Sequence, residues 1–128
     1  MKRVYIIHPF QGKEKNRKKI DQICRAVANM GFLPVSPVHA FSFLDDNVPE
    51  ERELALKLCQ ELVKSCDQAW CFGEWEKSEG CKIEIQAAEE ADVSVVDMEL
   101  LLAKMEEFKS RRGEPGWYLS GCYALEQR

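Results

Sequence analysis

Four short runs of β-branched and aromatic residues alternate with longer segments of helical periodicity, and this alternation limits the fold more than any other feature. Residues 3–8 (RVYIIH), 32–35 (FLPV), 68–72 (QAWCF) and 93–96 (VSVV) read as strands. They are nearly continuous apolar runs, as expected of strands covered on both faces. Between them, residues 13–30 carry Ile20, Ile23, Cys24, Val27 and Met30 at helical spacing, and Gly31 closes that helix. Pro49 opens a helix of about 16 residues with Leu54, Leu58 and Leu62 stacked at i, i+4. Ser78 is placed to cap a third helix reaching to Ala91. Met98, Leu101, Leu102, Met105 and Phe108 share one face of a last helix. Residues 36–49 (SPVHAFSFLDDNVP) read as one long loop, and Gly73 to Lys77 as a turn.

Strand–helix alternation implies crossover connections and a parallel sheet. The expected fold is α/β: a single-domain, Rossmann-like three-layer sandwich with a four- to five-stranded, mostly parallel sheet flanked by helices, over residues 1–112. Residues 113–128, with Trp117, Tyr118 and Tyr123, form a C-terminal tail that supplies an extra strand or an oligomer contact.

Composition narrows the function. The 128 residues suit one core, and 45% apolar with 31% charged residues sets the chain apart from disordered polymers. No apolar run approaches the ~20 residues that span a bilayer. The start, MKRVYIIHPF, enters a strand at once and lacks a signal-peptide pattern, so a cytoplasmic location and no membrane partner are expected. A net charge of −4 argues against a nucleic-acid polymer as partner. The basic cluster Lys13, Lys15, Arg17, Lys18 and Lys19 reads as a solvated helix face. Six cysteines show no C-x-x-C spacing and only two histidines accompany them, so neither a metal nor another cofactor is expected. The thiols read as reduced and mostly buried.

In parallel α/β folds ligands bind beyond the carboxyl ends of the strands. Three segments converge there: His8 to Gly12, Ser36 to Asp46, and Gly73 to Gly80. In the third, Ser78-Glu79-Gly80 opens a helix whose free N–H groups and dipole favour an anion. Gly80 lets a ligand approach the backbone, and Glu84 lies four residues on, on the same helix face. A carboxylate one turn inside an anion site suits a nucleophile attacking a sugar carbon, although a solvated helix Glu is the commoner role. In the first segment Gly12 lets the backbone wrap a ligand, and His8 bonds either a ligand or neighbouring backbone. The second segment, which holds His39, mixes Phe41, Phe43 and Leu44 with Asp45 and Asp46. Its aromatics either cover a base, with an Asp on sugar hydroxyls, or pack beneath the loop. Trp75 is placed to stack on a base or to cap the core. Cys81, in the first turn of the helix, is the rival nucleophile, or else a buried and inert thiol.

VYIIHPFQG, SPVHAFSFLDD, ELALKLCQELVKSCDQAWCFG and SEGCKIEIQAA together resemble the nucleoside 2-deoxyribosyltransferase-like superfamily, most closely a small bacterial and phage branch of it. The resemblance covers about residues 3–97. It implies cleavage of the N-glycosidic bond of a nucleoside or nucleotide through a glycosyl-enzyme on a helix glutamate, matched here by Glu84. It implies that Ser78 and Gly80 receive the substrate, that Tyr5 supports the site, and that Gly12 matches a glycine of the first loop. The superfamily's Asp in the helix before the third strand aligns with Cys59, which leaves His8, Asp45 or Asp46 as the acid. His8, His39, Phe43 and Trp75 complete the expected substrate contacts. The resemblance implies a small-molecule nucleoside or nucleotide partner and a homo-oligomer. A non-catalytic protein that binds a nucleotide or a nucleotide-derived signal is the alternative.

Overall fold

The computed structural model describes residues 1–112, with side chains as far as Glu107. Its strands are β1 (Arg3–Ile7), β2 (Leu33–Val35), β3 (Gln68–Cys71) and β4 (Ser94–Asp97). Its helices are α1 (Glu14–Asn29), α2 (Pro37–Ala40), α3 (Pro49–Lys64), α4 (Glu79–Glu90) and α5 (Met98–Arg112), with a 3₁₀ turn at Trp75–Lys77. The sheet runs β2-β1-β3-β4 with every pair parallel. Tyr5 is in register with Val35 on one side and Ala69 on the other. The chain leaves β1 in one direction for β2 and returns across it to β3, so the crevice between the carboxyl ends of β1 and β3 is a topological switch point. This is the expected Rossmann-like α/β sandwich, with four strands; the tail expected over 113–128 lies outside the described residues.

Alternation along β1 divides the core in two. Tyr5 and Ile7 point into a layer with Val63, Ala69, Cys71, Cys81, Ala87 and Ala88. Val4 and Ile6 point the other way, onto Ile20, Val27 and Trp70, with Met98 packed alongside. Helices α3 and α4 therefore cover one face, and α1 and α5 the other. Gly31 ends α1 at φ +93°, a conformation that L side chains rarely adopt.

Several local expectations are corrected. The segment 36–49 is not one loop: Ser36 caps a helical turn over Pro37–Ala40, with Pro37 in the first turn where its missing N–H does no harm. In α3 the leucine row turns inward only toward its C-terminal end. Leu54 is 44% exposed, whereas Val63 and Leu62 join the core and Cys59 is half-buried. In α5, Met98 packs on the core, but Leu101 and Leu102 are 42% and 49% exposed. Phe108 lies outside the described side chains. Cys66, Cys71 and Cys81 are buried free thiols, and Cys24 and Cys59 are half-buried. No helix among the described residues is long and apolar enough to cross a membrane.

Ile20, 2% exposed, should lose about 2–4 kcal/mol of stability on Ile20→Ala, because the removed atoms leave a cavity. Leu54→Ala should change stability by less than about 1 kcal/mol. Urea denaturation of the two variants checks the assignment of inner and outer helix faces.

Candidate functional site

Ser78 ends the loop after β3 in an extended conformation, and its Oγ accepts the backbone N–H of Cys81 at 3.3 Å. That cap starts α4, and the N–H groups of Glu79 and Gly80 have no partner within the helix. Gly80 follows in the first turn. A Cβ there would meet Leu56 Cδ2 at 3.7 Å and Ser78 Oγ at 3.9 Å, which is ordinary contact. The protein's own packing therefore does not require glycine at this position.

Glu84, one turn further along α4, is 9% exposed and is the buried charged side chain among the described residues. The Tyr5 hydroxyl donates to its Oε2 from the middle of β1. Burial without a counter-cation pushes the Glu84 carboxyl from 4.5 up to about 8, and the Tyr5 hydrogen bond offsets only part of this. The Tyr5 phenol is itself held well above its usual range, by burial first and by Glu84 second, so it stays a neutral donor. Cys59 approaches the same phenol from α3, and burial pushes its thiol up to about 12. Cys81 is likewise pushed up to about 12 by burial, which makes it a neutral thiol and a poor nucleophile.

The two loop aspartates separate. Asp46 is half-buried and faces the first loop: a Cβ on Gly12 would lie 3.9 Å from Asp46 Oδ2. Gln11 (φ +53°) and Gly12 (φ +67°) form consecutive left-handed positions that turn the loop toward it. Asp45 is exposed, and its Oδ1 accepts the Asn47 N–H at 2.9 Å. Asp45 thus shapes the turn, and Asp46 is the carboxylate presented between the loops.

Of the remaining candidates, only Trp75 lies on the Glu84 side of the sheet by its packing. His8 follows the parity of Val4 and Ile6, on the face opposite Glu84. Its Nδ1 bonds Pro9 O at 2.7 Å, and its ring lines a cleft of about 380 Å³ with Lys19, Ile23, Phe72, Gly73 and Glu99. His39 bonds Asp21 and Ser36 rather than facing the crevice. Phe43 is 72% exposed, with its ring edge-on to Phe41 at 6.5 Å. Trp75 packs against the core layer that holds Tyr5 and Cys81. Leu56, Asp21 and Glu99 were not singled out from sequence. Each acquires a role only through contacts between elements that the fold brings together. Among the described residues, no group of three or more His, Cys, Asp or Glu side chains is placed to hold a metal ion.

A family model described as a domain of unknown function (DUF7768) matches residues 2–98. No curated protein matches the sequence. Among solved structures, the chain is similar to the 2-deoxyribosyltransferase of the psychrotolerant bacterium Bacillus psychrosaccharolyticus. The TM-score is 0.58 at 20% identity, over 73% of this chain and 69% of that one. At that identity the likeness establishes a shared fold.

The raised Glu84 value carries a stability consequence. The folded state holds this proton more tightly than the unfolded chain, so the stability it contributes is complete below about pH 4.5 and is lost as pH rises through about 8. Each tenfold gain in proton affinity corresponds to about 1.4 kcal/mol. Glu84→Gln keeps the shape without titrating, so its unfolding free energy should fall less between pH 5 and 9 than that of the wild type. Equal slopes in denaturant titrations would show that Glu84 ionises as freely in the folded protein as in water.

Proposed function

The chain belongs to that family of unknown function, and we propose that it cleaves the N-glycosidic bond of a nucleoside or nucleotide, with Glu84 as nucleophile. The observation that carries this reading is the pairing of a buried carboxyl with a buried phenol, one helical turn behind Gly80 and the capped start of α4. The shared fold with a 2-deoxyribosyltransferase supports it.

In this reading the sugar lies over Gly80, where a missing side chain leaves the backbone open. A 5′-hydroxyl or phosphate meets the Ser78 hydroxyl and the free N–H groups of α4. The base lies between Trp75 and the loop that carries Phe43. Ionised Glu84 attacks the anomeric carbon as the bond to the base nitrogen breaks, through an oxocarbenium-like transition state. Asp46 delivers a proton to the departing base. Water, or a second base, then releases the sugar from Glu84. Tyr5 orients the carboxyl and, by its hydrogen bond, favours the charged form that attacks.

One observation favours the alternative of binding without cleavage. The groups beside the Tyr5 phenol are a carboxyl raised to about 8 and a neutral thiol, so at neutral pH most copies lack an ionised nucleophile before substrate arrives.

Incubation with ribo- and deoxynucleosides and their 5′-monophosphates, followed by chromatography for free base, tests both readings. Base released by the wild type and not by Glu84→Ala is the expected result. Full turnover by Glu84→Gln would refute the nucleophile. A ligand-dependent rise in Tm without released base would establish the binding protein. Where base is released, its rate should climb with pH toward about 8, and Tyr5→Phe should move that limb to higher pH. Gly80→Ala should keep the wild-type Tm yet bind the same ligand on the order of 10-fold more weakly, a loss of about 1.4 kcal/mol.

A further inference from the structure

A second line of hydrogen-bonded side chains lies outside the Glu84 site and joins α1, the end of β2 and α2. His39 is its centre. Its Nε2 lies 2.5 Å from Asp21 Oδ1, and its Nδ1 lies 2.6 Å from Ser36 Oγ. Donor chemistry fixes the direction of the first bond, and the protonation of the ring that of the second. A carboxylate only accepts, so Nε2 carries the ring proton and donates to Asp21. In the neutral tautomer Nδ1 then holds a lone pair, and the Ser36 hydroxyl donates to it. Ser36 Oγ also accepts the His39 backbone N–H, at 3.4 Å, which occupies a lone pair and leaves the hydroxyl proton on the imidazole.

A hydroxyl directed at an imidazole whose tautomer is set by a carboxylate is the arrangement that makes serine a nucleophile. The two ring nitrogens are interchanged relative to the Ser–His–Asp hydrolases, and every proton transfer survives the exchange. The His39 and Asp21 side chains are 37% and 43% exposed, and Ser36 is half-buried, so a reagent reaches the group from solvent. The neighbouring thiol of Cys24 is raised above the ordinary thiol range by burial, which keeps it neutral.

We propose that Ser36 is a nucleophile activated by His39 and oriented through Asp21, and that it takes an acyl group from an activated ester. Ser36 Oγ bonds to the carbonyl carbon while its proton passes to His39 Nδ1. The carbon–oxygen bond to the leaving group breaks, and that oxygen takes the proton from Nδ1. Water then attacks the acyl-serine with His39 again as base, releasing the carboxylic acid and restoring the hydroxyl.

The test is to treat the full-length protein with a fluorophosphonate probe and with p-nitrophenyl acetate, and to map the modified residue by peptide mass spectrometry. Circular dichroism of every variant checks that it is folded. The expected result is modification at Ser36 in the folded protein and none there in urea. Ser36→Ala should abolish it, Cys24→Ala should retain it, and His39→Gln should slow it by at least ~10-fold. Asp21→Asn should slow it as well, since an amide can donate as well as accept, so it no longer fixes the tautomer, and it lacks the charge that stabilises the protonated ring. A folded wild type unmodified at Ser36, or a folded His39→Gln variant modified as fast as the wild type, overturns the proposal.

Discussion

The contact between the Tyr5 phenol and the Glu84 carboxyl ties α4 to the central strand, and the rest of this layer is arranged around it. A carboxylate buried without a cation is strongly unfavourable, and such a group normally answers by holding its proton. Here the surroundings reinforce that answer. Cys59, Cys71 and Cys81 are all pushed up to about 12 by burial, so the carboxyl sits among neutral, polarizable thiols. Tyr5 is the single group acting in the opposite direction on Glu84. The layer is thus tuned by burial and one hydrogen bond.

Much of this was legible from local spacing. Ser78 as a helix cap, Gly80 in the first turn and Glu84 one turn later needed only the period of a helix, and the strands fell within a residue or two of their expected limits. What was not legible depended on which way a side chain turns. The i, i+4 row of Leu54, Leu58 and Leu62 suggested an inner face. Cysteine is also a small hydrophobe, however, so the competing row through Cys59 and Val63 is equally apolar. His8 was grouped with Tyr5 because both lie in or beside β1. Their separation by an odd number of residues sends them to opposite faces, a signal that was present in the sequence and outweighed by proximity. The partnership of Asp21 with His39 had no local signature, because it arises only when α2 folds back onto α1.

The second loop shows how residue type alone underdetermines role. Asp45 and Asp46 are adjacent and chemically identical, yet one closes a turn through Asn47 and the other is turned toward Gly12. The division follows from backbone geometry. An aspartate that binds the N–H two residues on is committed to that turn, and its neighbour then projects the other way. The left-handed pair Gln11–Gly12 gives the first loop the curvature that brings its backbone up to Asp46.

The alternation in β1 also bears on what fixes the sheet's register. Val4, Ile6 and Ile7 are all apolar and all buried, so a slip of one residue would leave the greasy content of both layers nearly unchanged. Hydrophobic burial by itself therefore discriminates poorly between the native pairing and its neighbour. Tyr5 breaks that degeneracy. Shifted by one position, its hydroxyl would enter the layer of Ile20 and Val27 without Glu84, and Glu84 would remain buried without a donor. The polar pair that makes this layer chemically interesting is also what makes the strand's alignment unique, so the fold's specificity and its candidate chemistry rest on the same two side chains.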